Sequence, residues 1–392
     1  MTISVTLLAL MQAIMISSNI ALFASSPLIG LKLASDPSLA SIPLSLQYLS
    51  VLVTLYPVSL WMQKYGRRSV FIGANIFGII GMVIGYIGIQ TGQFYLYVLS
   101  GPFIGIFVAS AQFYRFAAAD AAPPDRKARA VSLTLAGGLI AAFLGANLVR
   151  FTIHIAEPEF SATYLSLAML IFLSLLLATR LDLPSMVVTQ QDGDEKPRPL
   201  GVIIRQKSFI AAALAAMVGY GVMNLTMISA PFAIAHEHYE FSLVTTMLQW
   251  HSFAMFLPSF FTGDLIKRFG VTKIIWCGAV VMASAVVVAF AGLAPEHFIF
   301  SMVLIGLGWN FLYIGGTTLL TESYRPIEKA RIQGLNDTLV FATIFSTSLI
   351  SAQLMHSFGW HGVVASALPF LLVVAVAVAI YAMSRPTAPV KP

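Results

Sequence analysis

The sequence predicts an all-α membrane protein in which twelve transmembrane helices form two pseudo-symmetric six-helix bundles. Three observations lead there. The 392-residue chain is 58% hydrophobic and only 10% charged, well outside the composition of water-soluble domains. Its apolar residues fall into runs close to the roughly 20 residues a helix needs to cross a ~30 Å hydrocarbon core. Two loop sequences also recur six runs apart, as in chains built from a duplicated half.

The runs follow in order. The first, 4–29, has no basic segment before it and reads as a retained helix, not a cleaved leader. The second and third, 42–63 and 69–90, flank QKYGRR (63–68), whose glycine suits a tight turn between antiparallel helices. Runs 94–117, 130–153 and 162–180 complete a first set of six, with DAAPPDRKAR (120–129) between the fourth and fifth. Residues 181–207, LDLPSMVVTQQDGDEKPRPLGVIIRQK, are polar and proline-bearing and read as a linker. The chain therefore divides into a bundle at 1–180, the linker 181–207 and a second bundle at 208–392. The second set of runs is 208–232, 241–263, 272–293, 298–320, 332–354 and 362–384. Its loops repeat those of the first: KRFGVTK (267–273) stands where QKYGRR stood, and ESYRPIEKAR (322–331) matches DAAPPDRKAR at a shift of 202 residues.

Charge gives the orientation. Of 22 Lys and Arg residues, only Lys32 and Arg150 fall at the end of the bundles away from the linker. That asymmetry predicts a cytoplasmic linker and cytoplasmic termini. The net charge of +6 then reflects topology and gives no sign of a nucleic-acid partner; the partners implied are a transported solute and membrane lipid. The lone cysteine, Cys277, excludes an internal disulfide. No nucleophile–base pair or phosphate-binding loop argues for an enzyme, and no prosthetic group is expected.

Within the apolar runs, MNLTM (223–227) and HSFAM (251–255) each set two soft donors four residues apart, on one helix face. Met223 and Met227 on the seventh run, with His251 and Met255 on the eighth, would form a ladder of neutral ligands at mid-depth if the two helices are neighbours. Thioether sulfur selects Cu(I) over hard divalent ions, and imidazole accepts copper in either oxidation state. Methionine also fills irregular gaps between helices with no further role, so spacing alone leaves both readings open. His251 is the histidine nearest the bilayer middle, where an ionisable group is a functional candidate by default. Asn19, Asn224, Gln249, Trp250, Trp309 and Asn310 lie at similar depth. The end away from the linker is rich in histidine and acid, with HEHYE (236–240) between the two motif helices, and would gather cations. Arg115 and Asp337, both near the linker end of their spans, are expected to pair across the two halves as a gate. No carboxylate lies at mid-depth to support proton coupling.

These residues also carry a resemblance. SLWMQKYGRR resembles the loop signature of the major facilitator superfamily at Lys64, Gly66, Arg67 and Arg68, and Gly263, Arg268 and Gly270 match it in the second half. Gln63 and Lys267 stand where that family has an acid, and Ser59 where it has glycine. The resemblance implies alternating access, with Lys64, Gly66, Arg67, Arg68, Arg268 and Gly270 joining Arg115 and Asp337 in the gate. MxxxM followed by HxxxM further resembles the CcoA-like copper importers of that superfamily. That implies copper bound by Met223, Met227, His251 and Met255, a bacterial inner membrane, supply of cbb3-type cytochrome oxidase assembly, and a copper chaperone or oxidase assembly factor as partner.

The reading expected from the sequence is therefore a copper importer. Two alternatives stand beside it. One is an organic-solute carrier, a flavin importer or drug exporter, with Trp250 and Trp309 as stacking partners. The other is a membrane copper sensor or assembly factor that does not transport.

Overall fold

A computed structural model describes residues 3–123, 127–183 and 197–384. Among them every regular element is a helix. Residues 124–126 and 184–196, including Arg126 and Lys196, and the tail carrying Arg385 and Lys391 lie outside the described residues.

The first bundle comprises α1 (Ile3–Leu33), α2 (Ile42–Tyr65), α3 (Arg67–Thr91), the broken pair α4 (Phe94–Ala111) and α5 (Tyr114–Asp120), α6 (Lys127–Thr152) and α7 (Ser161–Thr179). A short α8 (Leu200–Ile204) leads into the second bundle. This holds α9 (Lys207–His236), the broken pair α10 (Phe241–Phe256) and α11 (Ser259–Phe269), α12 (Val271–Ala291), α13 (Pro295–Leu320), α14 (Lys329–Ala365) and α15 (Ala367–Met383). Nine stretches among the described residues are long and apolar enough to cross a membrane. One of them, Arg331–Met383, has 53 residues; at ~1.5 Å per residue it is long enough to cross twice, and it bends at Gly359. With α6 and the α10–α11 pair, the crossings among the described residues number twelve.

The helix ends follow from backbone chemistry. α2 stops at Gly66 (φ 79°) and α11 at Gly270 (φ 89°), and each glycine is also the residue from which the next helix starts. A side chain is disfavoured at that positive φ, so the same residue type makes the same turn in both halves. Within helices, Ser17, Ser18 and Ser25 of α1 return their hydroxyls to carbonyls four residues back at 2.7–2.9 Å. Polar atoms are thereby satisfied without water. Between helices, Tyr97 donates to Ser26 (2.9 Å) and shares a 2.6 Å hydrogen bond with Tyr164, tying α4, α1 and α7 together.

In the first bundle α1 packs on α6, α4 on α2 and α3, and α3 on α7; in the second, α13 packs on α9, α10 and α12, and α9 on α14. The bundles meet along α6 with α10, α2 with α14, and α1 with α9. One set of connections, those beside α8, marks the linker end of the molecule. Toward the opposite end, Ser45 and Ser348 hydrogen-bond across the interface at 3.1 Å, and Phe160 meets Phe241 with ring centroids 5.6 Å apart.

One packing expectation changes. α9 and α10 were expected to be neighbours, but α13 lies against both and they touch each other only slightly.

Candidate functional site

The interface encloses a cavity of about 200 Å³ to which both bundles contribute. Its lining follows helix periodicity. α1 presents Gln12, Met15, Ile16, Asn19, Ile20 and Phe23, and α9 presents Tyr220, Met223, Asn224 and Met227. Both sets step by three and four residues, one face of a helix in each case. Ser252, Met255 and Phe256 of α10, with Trp309 and Tyr313 of α13, add the same spacing from the second bundle. Tyr48, Arg115, Phe341 and Ile344 complete the principal walls.

The wall from the second bundle is aromatic. Trp309 and Tyr313 stack at 5.3 Å and 15°, and Tyr220 stands edge-on to both at 5.1 and 4.8 Å. Phe256 meets Trp309 edge-on at 6.3 Å. Across the cavity, Phe23 and Tyr48 lie 6.3 Å apart. Rings in these arrangements form a rigid apolar surface.

Amides supply the polar lining. Gln47 donates to Asn19 Oδ1 at 3.1 Å, and Asn19 Nδ2 lies 3.3 Å from Met15 Sδ. Asn224 spends its Nδ2 hydrogens on the Ile344 carbonyl and Thr347 Oγ1, both at 3.1 Å. Arg115 is the one charged residue among the described lining residues. Its guanidinium lies within electrostatic range of the Tyr313 and Tyr220 phenols and, across the bundle interface, of the Asp337 carboxylate. A cavity with these groups can hold a flat, largely apolar molecule and orient it through a few hydrogen bonds.

The four soft donors do not all line the cavity. Met223, Met227 and Met255 line the cavity, but His251 does not. It is fully buried, its Nδ1–H donates to the Met302 carbonyl at 2.6 Å, and its ring lies against Gly306 of α13, where a Cβ would come within 3.2 Å of Nδ1. Among the described residues no three His, Cys, Asp or Glu side chains are grouped to hold a metal ion. Trp250 is about half exposed and meets Phe253, away from the cavity, so only Trp309 of the two tryptophans lines it. Asn310 is likewise outside. It donates to the Met255 carbonyl and Ser259 Oγ and accepts from Thr262, each at 2.7 Å, and so braces the break between α10 and α11.

The loop residues lie at the linker end. Arg67 pairs with Asp120 at 2.6 Å, and Arg68 donates to the Thr179 carbonyl at the end of α7 at 2.5 Å. Lys64 and Arg268 lie over the rings of their sequence neighbours Tyr65 and Phe269. A contact the sequence did not suggest stands out there: Arg198, just before α8, grips Glu328 through Nε (2.9 Å) and Nη2 (2.7 Å). The Glu328 carboxylate also accepts the backbone N–H groups of Arg198 and Arg325. The Arg198 hydrogen bonds hold its pKa down to about 2.

Comparison with known proteins completes the site. The family model of the Major Facilitator Superfamily matches residues 6–249 and 212–392. The riboflavin transporter RfnT of Brucella anthropi is 36% identical over 358 residues, 91% of this chain and 90% of that one. The uncharacterized MFS-type transporter YddS of Bacillus subtilis is 28% identical over 80% of this chain and 76% of its own. Among solved structures, a bacterial homolog to the human lysosomal transporter Spinster, in an inward-facing and occupied conformation, superposes with a TM-score of 0.74 at 15% identity. It covers 97% of this chain and 96% of its own. The nucleoside transporter NupG superposes with a TM-score of 0.72 at 13% identity, covering 97% and 100%; at such identities both show the fold alone.

The copper assignment is corrected by these findings. The relative matched over nine-tenths of both chains is a riboflavin transporter, not a member of the copper-importing branch, and His251 is turned into the α10–α13 contact. Copper as cargo and the role in cytochrome oxidase assembly go with it. The spacing of Met223, Met227 and Met255 reflects cavity lining.

Proposed function

The chain belongs to the major facilitator superfamily, and on that footing we propose that it carries riboflavin, or a flavin with the same ring system, across a bacterial inner membrane by alternating access. The observation that carries this reading is the aromatic wall of Tyr220, Phe256, Trp309 and Tyr313 on a cavity lined by both bundles. A flavin needs a broad, flat, apolar contact for its three fused rings and a few polar groups at the edges, and this cavity supplies both kinds of surface. The 36% identity to a riboflavin transporter supports the same substrate class.

At about 200 Å³ the cavity is smaller than the ~300–1,000 Å³ of pockets that hold ligands of drug size. The walls must therefore part to admit a flavin, as rocking of residues 1–180 against 208–392 about the linker 181–207 would allow. The excess of basic residues at the linker end supports a cytoplasmic position for it, and release into the cell would then occur through that end. Arg115 and Asp337 lie within electrostatic range of each other across the interface and would serve as the gate, with Lys64, Gly66, Arg67, Arg68, Arg268 and Gly270 at the turns that steer the helix ends.

The test is growth of a riboflavin-auxotrophic bacterium without its own flavin importer. Expression of this chain is expected to restore growth at low micromolar riboflavin and saturable uptake of labelled riboflavin. No uptake by cells whose membranes contain the protein would overturn the reading.

A further inference from the structure

We propose that the cargo is recognised through a cyclic imide edge, a ring N–H flanked by two carbonyls, and that Asn224, Trp309 and Arg115 read it. The inference rests on the flavin reading above and specifies which edge of the ring system the cavity grips.

Three cavity-lining residues each keep one buried polar atom without a partner: Asn224 Oδ1, Trp309 Nε1 and Arg115 Nε. Asn224 is 1% exposed and Trp309 5%, so water does not relieve them from bulk. Buried polar groups left unpaired are costly, and three at one site mark a place where something else completes the bonding.

The chemistry of the three atoms is fixed. Both hydrogens of the Asn224 amide are committed, one to the Ile344 carbonyl and one to Thr347 Oγ1. The opposite amide orientation would set oxygen against the Ile344 carbonyl oxygen, so the free atom is the acceptor. The indole Nε1–H is only a donor, and guanidinium nitrogen likewise. The unpaired set is thus one acceptor with two donors. Its complement is one donor with two acceptors on a planar ring, since the wall beside Trp309 is aromatic. An imide presents that set: its N–H donates to Asn224 Oδ1, and its two carbonyls accept from Trp309 and Arg115. In flavins this edge lies at the end of the ring system, clear of the ribityl chain.

The probes are riboflavin, lumiflavin and 3-methylriboflavin, as competitors of labelled riboflavin uptake in membrane vesicles. Lumiflavin lacks the ribityl chain and keeps the imide; 3-methylriboflavin keeps the chain and replaces the imide N–H with a methyl group. The expected result is inhibition by 3-methylriboflavin at least tenfold weaker than by unlabelled riboflavin, with lumiflavin the stronger of the two analogues. In Asn224→Ala the penalty for the methyl group is expected to fall below threefold; if that variant is missing from the membrane, Asn224→Ser is read the same way. The wild-type comparison needs no variant. Equal inhibition by riboflavin and 3-methylriboflavin in wild type would overturn the imide assignment and leave flavin transport standing. A full penalty retained in a transporting Asn224 variant would overturn the role of Asn224. Absence of any riboflavin uptake would remove both readings together.

Discussion

Trp309 is the residue on which the aromatic wall depends, and its replacement gives the sharpest measurement. The indole stacks on Tyr313 at 5.3 Å and meets Tyr220 and Phe256 edge-on at 5.1 and 6.3 Å. Such pairs contribute ~0.5–1.5 kcal/mol each beyond area burial. Three of them, with the burial of the ring, are in line with the ~3–5 kcal/mol cost of truncating a buried tryptophan to alanine. Trp309→Ala therefore mixes loss of folding with loss of binding, whereas Trp309→Phe keeps a ring in the stack. Stacking of a planar heterocycle on an aromatic side chain is worth about 1–3 kcal/mol, or roughly 5- to 150-fold in affinity. The expected outcome is a riboflavin Kd raised within that range by Trp309→Leu, and by less than about fivefold by Trp309→Phe. Binding is read from flavin-fluorescence quenching on purified protein, with membrane abundance measured in parallel. Trp250→Leu is the control, because Trp250 is about half exposed and lies off the cavity. An unchanged Kd in well-folded Trp309→Leu, or an equal change in Trp250→Leu, would refute the stacking argument.

Other outcomes follow from contacts elsewhere. Asp337→Asn and Asp337→Arg, which leave the Arg115 donor in place, are expected to slow uptake, the charge reversal more than the neutral change; wild-type uptake in an abundant Asp337→Arg variant would dissolve the cross-interface gate. The Glu328 carboxylate, held at about 2 against an ordinary 4.5, stabilises the protein above pH ~4.5, and its contribution fades as pH falls from there toward 2. Glu328→Gln is thus expected to lower the thermal midpoint at pH 7, with the gap to wild type narrowing below pH ~4 in detergent melts. A gap that does not depend on pH would argue against the ion pair as its source. Stripping copper with a membrane-impermeant chelator is expected to leave riboflavin uptake unchanged, and His251→Asn to lower stability without altering the Kd for riboflavin. Copper-dependent uptake would contradict the correction made from the fold and the relatives.

Much of the architecture could be read from the chain, because a span is set by local composition and its ends by glycine and basic residues. Gly66 and Gly270 turn the chain where the loop repeats placed them. The cavity was legible only in part. The spacing of Met223 and Met227 does put both on the inner face of α9, and Met255 reaches the same cavity from α10. His251 fails because residues four apart are offset by ~40° around a helix of 3.6 residues per turn. That offset suffices to leave Met255 at the cavity and turn His251 toward α13. Which helix fills the space beside α9 is a tertiary fact that no spacing encodes. Tyr220, Phe256 and Tyr313 were missed for a related reason, since an aromatic side chain in an apolar run looks the same whether lipid or cargo lies beyond it. The pattern 220, 223, 224, 227 could have exposed Tyr220, as it continues the motif by one turn. The Arg198–Glu328 grip joins positions 130 residues apart and leaves no local trace.

The brace at the α10–α11 break has a mechanical consequence. Asn310 is the next residue after Trp309, and its amide holds the Met255 carbonyl and Ser259 hydroxyl on either side of the interruption. The peptide that carries the indole therefore also carries the pin of the joint, and cargo leaning on the ring strains the point from which α11 hangs. Severing the pin with Asn310→Ala should leave flavin held yet slow its release into the cell, so that binding and turnover part company; identical losses in both would show that the joint merely supports the wall.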